Sequence, residues 1–168
     1  IAHQDVAVSV SAFDGAPAPI AGVRTYLFTP DGKYLGRVKD TDAAGAVAYH
    51  LPDMPYKVRA DYLGVQYWSD SFAWEGADIV ISHGTVNVRV LDGGQGVSNV
   101  RVYLFSEAGA YLSRSQLTDA GGTAAFFLPT GTYLFRADTE CCRIWSAPVS
   151  VTQGAALAVD LSTAGGGS

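Results

Sequence analysis

The residues best equipped for chemistry in this 168-residue chain are an adjacent cysteine pair and a twice-written set of arginines, aspartates and tryptophans. Neighbouring residues on a strand face opposite ways, so one thiol of Cys141-Cys142 would be buried and the other exposed. Three outcomes are open for the pair. A vicinal disulfide would make a tight corner at a hairpin tip, an exposed thiol would link to another chain, and two reduced side chains would simply pack. In an extracellular setting the vicinal disulfide leads.

Arg24, Asp61 and Trp68 recur as Arg101, Asp138 and Trp145, and Trp74 adds an indole in the first half alone. These residues form a candidate ligand or interface surface, with indole faces to stack on sugar rings and Arg and Asp to supply hydrogen bonds. The same residues also fit a cross-strand ion pair beside a rim aromatic, worth at most about 1 kcal/mol when exposed. Recurrence in both halves favours that scaffold role.

Other chemistry is thinner. Asp14, Asp31, Asp40, Asp42 and Asp53 sit near turns, where calcium gathers oxygen ligands. Turns favour Asp for its own backbone bonding, and no dense D-x-D-x-D loop is written. His3, His50 and His83 fall in separate segments without a spaced partner, so no zinc site is expected. G-x-S-x-G, the P-loop and H-E-x-x-H are all missing from the sequence. Nothing marks a carboxylate pair for glycoside hydrolysis. No catalytic residue, cofactor or metal is assigned, and the chain reads as non-enzymatic, with a small hydrolase the weakest of the functions weighed.

The elements that must position these residues are written twice. An offset of 77 lays Val23-Arg24, Tyr26-Leu27-Phe28, Thr41-Asp42-Ala43, Leu51-Pro52, Arg59-Ala60-Asp61 and Trp68-Ser69 on their later copies. Those copies are Val100-Arg101, Tyr103-Leu104-Phe105, Thr118-Asp119-Ala120, Leu128-Pro129, Arg136-Ala137-Asp138 and Trp145-Ser146. Such duplication indicates tandem modules. The expected boundaries are residues 1–84, residues 85–162, and a Gly-rich tail or linker at 163–168.

Apolar residues alternate with period two and no segment keeps a helical period, so the chain is expected to be all-β. Strands are predicted at 6–13, 21–28, 34–38, 46–51, 56–62, 66–72 and 79–81, then at 86–91, 100–105, 111–115, 123–128, 133–138, 143–151 and 157–161. Pro30-Asp31-Gly32 and the segments Asp42 to Gly45 and Asp119 to Gly122 supply the turns. Seven short strands per copy predict two small β-sandwiches. Alternation sends Tyr56, Val58 and Ala60 inward and Lys57, Arg59 and Asp61 outward.

Bulk properties narrow the partners. A net charge of −5 without a basic cluster argues against nucleic acid and anionic membranes. No apolar run approaches a membrane span, so no membrane insertion is expected. Low lysine with abundant Gly, Thr, Ser and Tyr suits an exported bacterial surface protein, and a start at Ile1 rather than Met predicts processing upstream. Val6, Val8 and Val10 mark an apolar first strand, a candidate assembly strand for the open edge of another subunit.

Val100-Arg101-Val102, Thr118-Asp119 before Gly121-Gly122, and Leu128-Pro129-Thr130-Gly131-Thr132-Tyr133 together resemble the carboxypeptidase regulatory-like domains. These group with the transthyretin-like and collagen-adhesin B-type, Ig-like sandwiches. The first copy departs at Met54-Pro55, where the second has Gly131-Thr132. The resemblance implies seven-stranded sandwiches, usually tandem, acting as spacers, stalks or adhesin parts of secreted or surface proteins. It also raises the self-made isopeptide bond of the B-type modules. Neither Val6-Ala7-Val8-Ser9-Val10 nor Val86-Asn87-Val88-Arg89-Val90 holds a lysine, and Ala60 and Ala137 stand where a glutamate would serve, so no crosslink is expected.

The functional expectation is an extracellular structural unit of a bacterial surface filament, stalk or adhesin, joined to its own kind or to neighbouring repeats through strand edges and module contacts. The alternative is a carbohydrate-binding or accessory module of a larger secreted protein, with polysaccharide as partner.

Overall fold

The computed structural model describes residues 1–163, and every regular element among them is a β-strand. The chain divides into two compact units, the first Ile1–Ile81 and the second starting at Ser82. The expected tail lies, from residue 164 onward, outside the described residues.

The first unit holds β1 (His3–Phe13), β2 (Pro17–Pro19), β3 (Arg24–Phe28), β4 (Tyr34–Asp40), β5 (Ala46–Pro52), β6 (Lys57–Tyr62), β7 (Val65–Trp68) and the start of β8 (Ala77–Asp92). One sheet is built on β1, which hydrogen-bonds β2, β5 and β8; the other runs β4-β3-β6-β7. Alternation dictates what they bury. Val6, Val8 and Val10 from β1 and Val47, Tyr49 and Leu51 from β5 share one core with Leu27, Val58 and Ala60 from the opposing sheet. Each fully buried valine contributes roughly 1.5–3 kcal/mol relative to exposure.

That packing corrects the assembly-strand expectation. Val6, Val8 and Val10 are each 0% exposed, and β1 is hydrogen-bonded to three strands of its own chain. An apolar alternating strand is what an open edge and a sheet interior both look like in sequence. Here it is interior.

The second unit holds the remainder of β8, then β9 (Gln95–Gly96), β10 (Arg101–Ser106), β11 (Tyr111–Leu117), β12 (Thr123–Pro129), β13 (Gly131–Asp138), β14 (Arg143–Trp145), β15 (Val149–Val151) and β16 (Ala156–Ser162). In this unit β8 pairs with β9, antiparallel to β12 and parallel to β16. The opposing sheet runs β11-β10-β13-β14, with β15 also on β13. Phe126 of β12 meets Phe135 of β13 at 5.1 Å between ring centroids, a contact between the two sheets.

The turns repeat down to single atoms. The Thr41 hydroxyl accepts from Val23 N at 2.9 Å and donates to Ile20 O at 2.7 Å. Thr118 does the same with Val100 N at 2.9 Å and Val97 O at 2.6 Å. Asp42 Oδ1 accepts from Ala44 and Ala46 N–H, and Asp119 Oδ1 from Gly121 and Thr123 N–H. The glycine that follows is forced by space. A Cβ on Gly45, at φ +74, would stand 2.6 Å from Val10 O, and one on Gly122 would stand 2.6 Å from Val97 N.

The short strands β2 and β9 have no counterpart among the expected strands, the strand expected at 21–28 begins only at Arg24, and three further elements differ. The strand expected at 66–72 stops at Trp68, because Ser69 turns its hydroxyl to accept from Val58 N at 2.9 Å. The strand expected at 143–151 splits into β14 and β15 around Pro148, which has no N–H to give a ladder. Residues 79–81 and 86–91, expected as separate strands, belong to one sixteen-residue strand, β8.

Candidate functional site

Outer faces of the β4-β3-β6-β7 and β11-β10-β13-β14 sheets carry the same constellation. On β3, Thr25 and Leu27 point into the core, so Arg24, Tyr26 and Phe28 point out. A register shift between Tyr26 and Phe28 lets Tyr34 of β4 sit opposite Phe28. Gly36 takes φ +72 within β4, and the matching position of β11 is Ser113 at φ +58. The second copy shows the same shift and sets Tyr111 opposite Phe105.

An aromatic cluster results. Trp68 packs on Phe28 at 4.8 Å and Trp145 on Phe105 at 4.7 Å. Tyr34 meets Phe28 at 5.4 Å and Tyr111 meets Phe105 at 5.5 Å. Phe28 and Phe105 are thereby covered, while Trp68 stays 46% exposed and Trp145 48%. Tyr34, Val38, Tyr111 and Leu117 are exposed as well.

An arginine underlies each cluster. The Arg59 guanidinium lies 4.5 Å from the Tyr26 ring centroid, and that of Arg136 lies 4.9 Å from Tyr103 and 5.6 Å from Trp145. Each is locked by a fork to the aspartate two residues on. Arg59 Nε and Nη2 donate to Asp61 at 2.8 and 3.1 Å, and Arg136 donates to Asp138 at 2.7 and 3.0 Å. These pairs are mostly covered, with arginine side chains only 21% and 18% exposed. Cation–π contact and a bidentate carboxylate together fix each guanidinium beside the rings.

The sequence-derived site residues are only partly brought together. Arg24 and Asp61 are register partners across β3 and β6, as are Arg101 and Asp138 across β10 and β13. Neither pair forms the expected ion pair. Arg24 donates instead to Asp40 at 2.9 and 3.2 Å, and this fork raises the arginine's pKa and holds the Asp40 carboxyl below its ordinary range. Position 117 has leucine where position 40 has aspartate, and Arg101 turns to the Ser115 hydroxyl at 2.9 Å. Trp74 leaves the exposed set: it is half-buried against the first core and its Nε1 donates to Leu51 O at 3.0 Å. Arg59 and Arg136, the cations nearest the rings, were legible as the repeated Arg-x-Asp, but alternation alone marks them only as outward.

Cys141 and Cys142 are joined as a disulfide in the turn between β13 and β14. Thr139 closes that turn, its hydroxyl accepting from Cys142 N at 3.1 Å. The first copy turns at the matching positions with Leu63 and Gly64, both at positive φ, whereas Glu140 and Cys141 are not, so the two turns differ in backbone conformation. A cavity of about 410 Å³ in the second unit is lined by Asp92, Asp138, Thr139, Glu140 and Cys141, among others. Among the described residues no group of three or more His, Cys, Asp or Glu side chains is arranged to hold a metal ion.

No protein-family model and no curated protein matches this chain. Similar solved structures include GBS52, the minor pilin of Streptococcus agalactiae, at 15% identity and TM-score 0.42, covering 95% of both chains. The shaft pilin SpaA of Lactobacillus rhamnosus GG matches at 10% identity and TM-score 0.41, over 96% of this chain and 98% of that one. The Bacillus anthracis TIE protein matches at 15% identity and TM-score 0.39; the chain spans 33% of its length. TM-scores below 0.5 transfer neither topology nor role.

Proposed function

We propose that the chain is a non-enzymatic structural unit of a bacterial surface filament, stalk or adhesin, working outside the cell and associating with further copies of itself through its two aromatic faces. One observation carries this reading. Each face presents exposed Trp and Tyr rings, while the arginine beside them is forked through two of its donors to its own aspartate and lies mostly covered. A sugar site needs polar groups aimed outward to orient hydroxyls. A face of exposed rings beside mostly covered ion pairs suits protein–protein packing, where aromatic anchors dominate. Repetition in both copies fits a linear assembly that uses each module in the same way. The disulfide supports an oxidising compartment.

Strand edges contribute less to this reading than faces. The edge strands β4 and β11 both carry a register irregularity, with Arg37, Lys39 and Arg114 along them. Such devices discourage edge-to-edge pairing.

The test is light scattering after size exclusion, with negative-stain imaging, on the chain and on its Trp68→Ser/Trp145→Ser variant. Concentration-dependent association that the variant loses supports the proposal. A chain that stays monomeric at high concentration, or a variant that associates equally well, overturns it. Glycan-array binding lost in the same variant would instead support the carbohydrate-binding alternative.

A further inference from the structure

His3 and His50 are 47 positions apart in sequence, yet the pairing of β1 with β5 makes them neighbours on one exposed face. Asp5 is the register partner of His50, and His3 lies two residues before Asp5 on the same side of β1. The imidazoles stack with centroids 5.5 Å apart and planes 19° from parallel.

The hydrogen bonds choose the tautomers. His50 Nδ1 lies 2.9 Å from Asp5 Oδ1, and His3 Nδ1 lies 3.1 Å from Ile1 O. An ionised carboxylate and a backbone carbonyl only accept, so in each neutral ring Nδ1 carries the proton. Nε2 is then left with its lone pair on both rings. Metal-bound histidines are held in this way, with the far ring N–H given to a carboxylate or a backbone carbonyl.

We propose that His3 and His50 form a surface site for a divalent transition ion, with Zn²⁺ bound through the two Nε2 atoms and Asp5 orienting His50. Imidazole nitrogen suits zinc, copper and nickel and offers little to calcium or magnesium. Zinc sits about 2.0–2.1 Å from each nitrogen, so the stacked rings must tilt toward a common point. Exposed side chains are free to do so. Two protein ligands leave the remaining tetrahedral positions to water. The bound ion would clip β1 to β5 in the first unit.

The experiment is calorimetric titration of Zn²⁺ into the full chain near neutral pH, with long-range ¹H–¹⁵N spectra of the histidine rings. One ion per chain is expected, lost in His3→Ala and equally in His50→Ala. Asp5→Asn is expected to weaken binding by about 10–100-fold. Metal-free melting curves should be unchanged by all three substitutions, since these side chains are exposed and leave the core intact. The metal-free spectra should show Nδ1-protonated rings at His3 and His50, with Nε2 shifting on titration. Zinc uptake that survives His50→Ala, a ring at His50 protonated on Nε2, or no uptake at all would overturn the site.

Discussion

Replacing Thr41 by valine keeps the shape of the side chain and removes both of its hydrogen bonds. Val23 N–H loses its acceptor and Ile20 C=O its hydroxyl donor, at a place where Val23 is 1% exposed and Thr41 5%. The buried N–H left unpaired costs about 1–3 kcal/mol and the Ile20 carbonyl, on a residue 9% exposed, about 1 kcal/mol, so the gross loss is about 2–4 kcal/mol. The added methyl returns about 0.8 kcal/mol. A net loss of about 1–3 kcal/mol follows, against a stability of roughly 4–12 kcal/mol for a module of this size at 0.05–0.15 kcal/mol per residue. At about 4–8 °C per kcal/mol, the melting point of the first unit should fall by about 10 °C. Thr118→Val should cost the second unit the same, because its hydroxyl bonds Val100 N and Val97 O in the same geometry. Urea unfolding followed by tryptophan fluorescence resolves the units, since Trp145 is the lone tryptophan after residue 81. Thr41→Ser is the control and should stay within about 1 kcal/mol, having kept both bonds. A Thr41→Val loss below about 0.5 kcal/mol, or a serine variant as damaged as the valine one, would refute the claim that these hydroxyls hold the turn.

Three other outcomes are expected. Tyr49 hydrogen-bonds the Thr25 hydroxyl at 2.7 Å inside the first core, where the second copy has Val102 and Phe126. Tyr49→Phe alone should cost about 1–2 kcal/mol, Thr25→Val/Tyr49→Phe together should cost less than the sum, and a double-mutant cycle in urea measures the difference. Cys141→Ser/Cys142→Ser should change second-unit stability by well under the ~2–4 kcal/mol of an ordinary disulfide, because a bridge between neighbours closes almost no chain; thermal melting with and without reductant checks this. Asp40 is held below its ordinary pKa by Arg24, Asp31 by the Thr29 hydroxyl, and Glu75 by the Ala73 N–H. A depressed folded-state pKa gives stability that is present above the unfolded value and lost as pH falls through the folded one. Melting temperature scanned from about pH 6 to about pH 2 should therefore drop below the carboxylate range, and less steeply in Asp40→Asn.

Much of the scaffold is legible from residue order. Period two separates Val6, Val8 and Val10 from their polar neighbours, and all three are core; it also sends Val58 and Ala60 inward and Arg59 and Asp61 outward, as found. Turn residues are local devices, so Thr41-Asp42 and Thr118-Asp119 announce their turns from sequence. Ion-pair partners are less legible. Arg24 lies across from Asp61 in β6 and equally across from Asp40 in β4, and only the side-chain geometry awards it to Asp40. Trp68 and Trp74 read alike as surface indoles, although one lies exposed over Phe28 and the other is half-buried with its N–H on Leu51 O.

By itself the order of residues determined the all-β class, the duplication and the face each strand residue takes, because alternation and turn chemistry act over a few neighbours. Tertiary structure decided whether β1 is an edge or an interior strand, which aspartate each arginine grips, and that His3 meets His50. Those outcomes depend on which distant strands lie side by side, and strand pairing is set by the summed burial of whole sheets rather than by any short run of sequence.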